Sequence, residues 1–289
     1  MSADPVFIGG LAFSGKTPLR IALGLHPGIS LTRKTHLWDR FTRRFGDLGR
    51  PENLERCLAV VSSDPGVARL EPDADALRRA FEQGPATYAR LFGLLHEQHA
   101  RRAGARRWGE QLGAIDRYAD AIFEAFPEAR MIHMIRDPRD RYEATPHRGP
   151  GSLGWQTAMW RRSAERAERN FGTYPGRYLV LRYEALAADP LGSLEEVATF
   201  IGETCTPSML GAITDAFDGE GPAPSIHPAG RAFVERYAGP AMQAFGYVPA
   251  TTGTAHGLLF SIVGRPVNRA SMAAWQIADV RASRAGGVA

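Results

Sequence analysis

Apolar residues in this chain fall into short runs, each closed by glycine, proline or charge. Val6-Phe-Ile, ended by Gly9-Gly10, reads as a buried strand feeding a tight turn, because a short unbroken apolar run bounded by glycine suits a sheet interior. Beyond the turn, Leu19, Ile21, Ala22, Leu23 and Leu25 predict a buried helix from Pro18 to Leu25. Its first turn tolerates Pro18, and His26-Pro27-Gly28 ends it. Tyr88, Leu91, Phe92, Leu94 and Leu95 make one apolar stripe and predict a helix over 87–102, within a stretch from 36 to 103 that reads as mostly helical. A helix over 115–126 precedes a second strand, Arg130–Ile135. A third strand, Tyr178–Arg182, leads through Tyr183-Glu-Ala-Leu to a helix over 193–201. Strands alternating with helices predict an α/β fold with a central, doubly wound parallel sheet. In such sheets ligands bind beyond the carboxyl ends of the strands, where the glycine turn, Arg136 and Tyr183 all fall.

Composition narrows the class. With 289 residues, 44% hydrophobic and 23% charged, the chain can bury a full core without disulfides or metal. Cys57 and Cys205 lie far apart and read as free thiols. The net charge of +4 comes from arginines dispersed in short pairs without interleaved aromatics, which argues for a small anionic ligand and against nucleic acid. The start lacks a basic leader, and no apolar run approaches the ~18 residues of a membrane span, so the expectation is a cytoplasmic protein. Residues 1–249 read as one α/β domain and 250–289 as a basic, partly helical appendage; Gly219–Gly230 reads as an irregular loop. His96 and His99 sit at metal-ligand spacing, but no third ligand is evident and they read as a solvated helix face.

Gly10-Leu-Ala-Phe-Ser-Gly-Lys-Thr has glycine, lysine and threonine at the four fixed positions of an anion-cradling loop between a strand and a helix. Such a loop aims backbone N–H groups and a helix N-terminus at a phosphate or sulfate, and its lysine adds a mobile charge. The fold class is accordingly a P-loop-like three-layer α/β fold with a central parallel sheet and a large helical insertion. The loop alone does not choose its ligand. An ATP-dependent kinase or NTPase should also show a strand ending in a magnesium-holding aspartate. The two candidates, Leu58–Asp64 and Met131–Asp137, fit poorly: the first lies in a helical neighbourhood and the second places Arg136 before the acid.

Three segments in order, Val6–Thr17, Met131-Ile-His-Met-Ile-Arg-Asp-Pro-Arg-Asp and Tyr178-Leu-Val-Leu-Arg-Tyr-Glu-Ala-Leu, resemble the sulfotransferases that use 3′-phosphoadenosine-5′-phosphosulfate. The similarity runs from about residue 5 to Tyr247, and Arg136-Asp-Pro-Arg-Asp is its most specific element. The resemblance implies that Phe13, Ser14, Gly15, Lys16, Thr17 and Pro18 surround the donor's 5′-phosphosulfate, that Arg136 grips its 3′-phosphate, and that Tyr183 lies near adenine. It also implies transfer of the sulfuryl group to a hydroxyl or amine of a small metabolite or glycan, without metal. A second copy of the chain is a candidate partner.

The chain departs from the family pattern at three places. The basic residue expected before the loop serine is Phe13, and Lys16 stands where threonine is usual, so Lys16 is expected to take over charge neutralisation. Lys34-Thr-His-Leu-Trp falls where many bacterial members carry a glutamate base; His36 is the candidate replacement, since an imidazole titrates near neutrality. The serine expected eight residues after Arg136 is Ala144, with Thr145 as the candidate substitute. Gly230-Arg231 is the candidate for the family's C-terminal glycine-rich basic loop. These departures also keep open a non-catalytic nucleotide-binding homologue, beside the kinase or NTPase alternative.

Overall fold

The computed structural model describes residues 3–146, 149–218, 226–248 and 263–285. Five strands, β1 (Ala3–Gly9), β2 (Ile29–Arg33), β3 (Arg107–Gln111), β4 (Arg130–Ile135) and β5 (Tyr178–Arg182), form one all-parallel sheet in the order β2-β3-β1-β4-β5. β1 is central because its residues are buried on both sides. Val6 and Ile8 face one core layer while Phe7 faces the other, as the period-two alternation of a strand requires.

The helices are α1 (Lys16–Gly24), α2 (Pro51–Ser63), α3 (Pro65–Ala68), α4 (Ala74–Phe81), α5 (Tyr88–Arg102), α6 (Ala119–Ala125) and α7 (Pro138–Glu143). They continue with α8 (Ser152–Thr173), α9 (Tyr183–Ala188), α10 (Pro190–Phe200), α11 (Pro207–Phe217), α12 (Pro228–Ala244) and α13 (Arg265–Ala285). α1, α10 and α11 cover one face of the sheet around Leu19, Leu23, Leu194 and Ile213. α2, α4, α5 and α6, largely the helical insertion between β2 and β3, cover the other around Phe7, Trp38, Phe92 and Trp108. Phe7 meets Trp108 edge to face at 5.5 Å, a geometry that aromatic quadrupoles favour. α8 and α12 enclose a third cluster with Trp160, Phe233 and Met242.

The parallel α/β architecture matches the sequence expectation, with differences in detail. β2 and β3 were not evident from apolar periodicity. β3 is Arg-Trp-Gly-Glu-Gln, a polar run that the fold nevertheless buries throughout. The helix expected over 115–126 begins as a 3₁₀ turn, Ile115–Tyr118, before α6. His96 is a correction: it is 1% exposed rather than solvated, stacked on Trp108 and hydrogen-bonded to Thr32. Of the loop expected at 219–230, residues 219–225 lie outside the described residues, and Pro228–Gly230 open α12. Of the appendage, 250–262 lie outside them too, while α13 packs along α8, where Gly154 N donates to Asn268 Oδ1 at 2.8 Å. Among the described residues no helix is long and apolar enough to cross a membrane.

Candidate functional site

The site begins where β1 ends. Gly10 turns the chain with φ of 103°, and a Cβ there would meet the Met134 carbonyl oxygen at 2.1 Å, so no other residue fits the turn against β4. Gly15 has φ of 87° and lies against the ring of Tyr183, whose Cδ2 would be 2.6 Å from an added Cβ. α1 starts one residue later, so its unpaired first-turn N–H groups and the positive end of its dipole face the loop. Ser14 is buried and donates to the Leu11 carbonyl at 2.7 Å, which braces the loop from within. Phe13 adopts φ of 65° and is 44% exposed.

Lys16 carries the loop's charge into the interior. Its ammonium donates to the carbonyls of Gly10, at 2.6 Å, and Leu11. Burial lowers its pKa from 10.5 to about 7, partly countered by Asp116 and reinforced by Arg141 and Lys34. Asp116 is fully buried and already ion-paired with Arg166 at 2.8 Å.

Arg136 leaves the end of β4. Its guanidinium lies 3.9 Å from the centre of the Tyr183 ring, and its Nη1 donates to the Phe13 carbonyl at 3.4 Å. Its Nε is buried without a hydrogen-bond partner, a donor that an anion in the adjoining cleft would satisfy. The acid that follows it is occupied. Asp137 caps α7 by accepting from Arg139 N and is ion-paired with the Arg139 side chain, and its own N–H donates to Glu184. Arg141 is buried beneath the loop, donating from Nε to the Ala12 carbonyl at 3.0 Å and from Nη1 to Gln156 at 3.3 Å. Among the described residues no carboxylate pairs with it, and burial lowers its pKa to about 10. Thr145 lies behind this arginine with its hydroxyl engaged by the Arg141 carbonyl and Gln156, and it does not line the cleft.

On the other side of the loop, Lys34 and His36 both adopt left-handed φ, 51° and 57°, around a buried Thr35. Glu110 of β3, fully buried, accepts from Thr35 N at 3.0 Å and from its hydroxyl. Its second oxygen lies 3.6 Å from His96 Nε2, and the charged and hydrogen-bonding partners hold its pKa below the ordinary carboxylate value despite the cost of burial. This anchor sets the strained turn that presents Lys34 and His36. His36 Nδ1 meets the Asp39 carboxylate at 2.9 Å.

These elements bound one cleft of about 670 Å³ at the carboxyl ends of the strands. Of the expected residues it gathers Phe13, Gly15, Lys16, Thr17, Pro18, His36, Arg136 and Tyr183; Ser14 and Thr145 stand behind its wall. Sequence reasoning missed the contributions of Ala12, Gln111, Leu112 and Gly113 to the wall, and of Lys34 as a cation. It also missed Glu110, Arg141 and Asp116, the buried charges beneath it. Polar residues inside otherwise buried segments, such as Glu110 between Trp108 and Leu112, were the available signal. The lining carries three basic side chains, Lys16, Lys34 and Arg136, and no carboxylate among the described residues.

A model of the Sulfotransferase family matches residues 5–207. Among solved structures, the chain is similar to the sulfotransferase domain of the olefin synthase from Synechococcus PCC 7002. The two share 20% identity with a TM-score of 0.53, over 86% of this chain and 96% of that one. It is also similar to a sulfotransferase from Alicyclobacillus acidocaldarius, at 18% identity and a TM-score of 0.48 over 96% and 100% of the two chains. No curated protein matches the chain.

Proposed function

The chain belongs to the sulfotransferase family, and from that premise we propose that it transfers a sulfuryl group from 3′-phosphoadenosine-5′-phosphosulfate to a hydroxyl or amine of a small metabolite or glycan. The observation that carries this reading is a cleft with a glycine cradle at its centre and an arginine with an unsatisfied donor on one wall. A nucleotide with phosphate groups at both its 5′ and 3′ positions suits that pair of anion sites, whereas ATP has nothing to offer the second.

The donor, when bound, supplies the sulfuryl group and a stable phosphate leaving group. The chain's own part is positioning and charge stabilisation. The Gly10–Thr17 loop and the start of α1 hold the 5′ end. Arg136, stacked on Tyr183, suits bidentate recognition of the 3′-phosphate, which a planar guanidinium provides better than an ammonium. Lys16 and Lys34 bring positive charge to the transferring oxygens, in place of the basic residue that Phe13 displaces. His36, with Nδ1 directed at Asp39, keeps Nε2 available to accept the acceptor's proton, and Asp39 stabilises the imidazolium that results.

The kinase or NTPase alternative is less well supported. Its magnesium would need an acid at the cleft, yet Asp137 is taken by Arg139 and the α7 cap, and Asp64 by Arg40 and Gly66 N. Calorimetric titration with 3′-phosphoadenosine-5′-phosphate and with magnesium-ATP, side by side, tests the choice. Tight binding of the bisphosphate that needs no magnesium is expected; a preference for magnesium-ATP would overturn the proposal.

A further inference from the structure

The proposed transfer leaves the acceptor undefined, and a group of arginines beside the cleft bears on it. Arg33 is the last residue of β2, the edge strand, and pairs in register with Gln111, which lines the cleft. Arg69, just past α3, donates from Nη2 to the Arg33 carbonyl at 3.1 Å. Arg20 of α1 lies close enough to Arg33 for the two charges to repel, and that repulsion, after burial, lowers its pKa. Lys34 follows Arg33 directly and enters the cleft wall.

Among the described residues no carboxylate is ion-paired with any of these four cations. Asp39 is committed to His36 and Asp64 to Arg40. Arg20 also holds a buried Nε without any acceptor. Gathering like charges on one surface costs stability, and a buried unsatisfied donor costs more, unless an anion completes the set.

The patch lies on the opposite side of the loop from the 3′-phosphate wall. In the order β2-β3-β1-β4-β5, Arg136 and Tyr183 follow β4 and β5, while Arg33 ends β2. Two strand spacings, about 10 Å, separate β2 from β1. A nucleotide held by the loop and Arg136 extends away from Arg33. The side of the loop toward Arg33 is the side of His36, where the acceptor must present its nucleophile.

We infer that the acceptor is itself an anion: a hydroxyl or amine compound bearing a carboxylate, phosphate or sulfate group that Arg20, Arg33 and Arg69 bind while His36 faces its nucleophile. The inference rests on the sulfotransferase reading of the same cleft. It makes the acceptor's charge, rather than an apolar pocket, the main source of recognition.

The test is a calorimetric titration of the full chain, with and without saturating 3′-phosphoadenosine-5′-phosphate. Its probes are matched pairs: glucuronate against glucose, glucose 6-phosphate against glucose, and 4-hydroxybenzoate against 4-hydroxybenzyl alcohol. At least one charged member should bind ten or more times tighter than its neutral mate, more weakly as salt rises from 50 to 200 mM. The Arg33→Ala/Arg69→Ala variant, altered only at exposed positions, should lose that preference and keep its bisphosphate affinity within twofold. Charged and neutral members binding alike in every pair would overturn the inference, as would a preference that survives the double substitution. Failure of the bisphosphate itself to bind would sink the donor reading instead, and the arm without it would still report on the patch.

Discussion

Lys16 gives the account its sharpest quantitative consequence. Its ammonium is held among carbonyls in a buried position where its pKa falls from 10.5 to about 7, an added preference for the neutral form of about 5 kcal/mol relative to a lysine in water. An anion in the cradle reverses that preference, so binding draws a proton onto Lys16 whenever the free protein lacks one. The dissociation constant for 3′-phosphoadenosine-5′-phosphate should therefore be nearly flat below pH 7. It should then weaken tenfold per pH unit above it, about fiftyfold between pH 7 and 9, with close to one proton taken up at pH 8. The window lies above the second ionisation of the phosphates, about 6, so the ligand does not mask it. Calorimetry in buffers of different ionisation enthalpy reads both quantities. Lys16→Met should bind more weakly at pH 7 and show no slope. The free protein offers a second reading, because a lysine whose folded pKa lies below its unfolded one is neutral when folded and charged when unfolded between pH 7 and about 10. Across that window wild-type stability should rise with pH relative to Lys16→Met, by up to ~1.4 kcal/mol per unit in urea denaturation. Affinity constant within twofold from pH 7 to 9, or a slope that persists in Lys16→Met, would refute the reasoning.

Other outcomes follow from the same geometry. His36→Ala should lower turnover by about 10²-fold or more with bisphosphate affinity unchanged, and Asp39→Asn by less, as measured by steady-state kinetics; wild-type turnover in His36→Ala removes the imidazole from the mechanism. Arg136→Ala should weaken the bisphosphate by roughly 10–100-fold, the worth of charge-assisted hydrogen bonds, while leaving adenosine 5′-phosphate unaffected. An equal loss for both nucleotides would show that this arginine does not read the 3′-phosphate. Glu110→Gln should destabilise the fold by about 1–3 kcal/mol and lower turnover more than donor affinity, because it loosens the Thr35 anchor beneath His36; thermal melts together with a KM-against-kcat comparison check it.

How much of this was legible in the sequence depended on the physical signal. β1, β4 and β5 were visible because each is a short apolar run ended by glycine or charge, and the loop because glycine, lysine and threonine stand at fixed spacing. β3 was not, because Arg107, Glu110 and Gln111 are buried by partners that come from elsewhere in the chain. Arg107 pairs with Glu203, and Glu110 with Thr35 and His96, so local pattern carries no trace of them. His96 misled for the same reason: its spacing from His99 suggested a shared exposed face, whereas stacking on Trp108 buries it. At the site, residue types predicted which groups gather but not their orientation. Lys16 curls back onto its own loop's carbonyls, Thr145 turns toward Gln156, and Lys34 reaches the cleft only through a left-handed turn.

A crystal structure with 3′-phosphoadenosine-5′-phosphate bound is the most direct examination of the site. The account predicts the 5′-phosphate on the Gly10–Thr17 loop at the start of α1, the adenine beside Tyr183, and the Arg136 guanidinium on the 3′-phosphate. A nucleotide seated outside this cleft, or Arg136 directed away from the ribose, would contradict it.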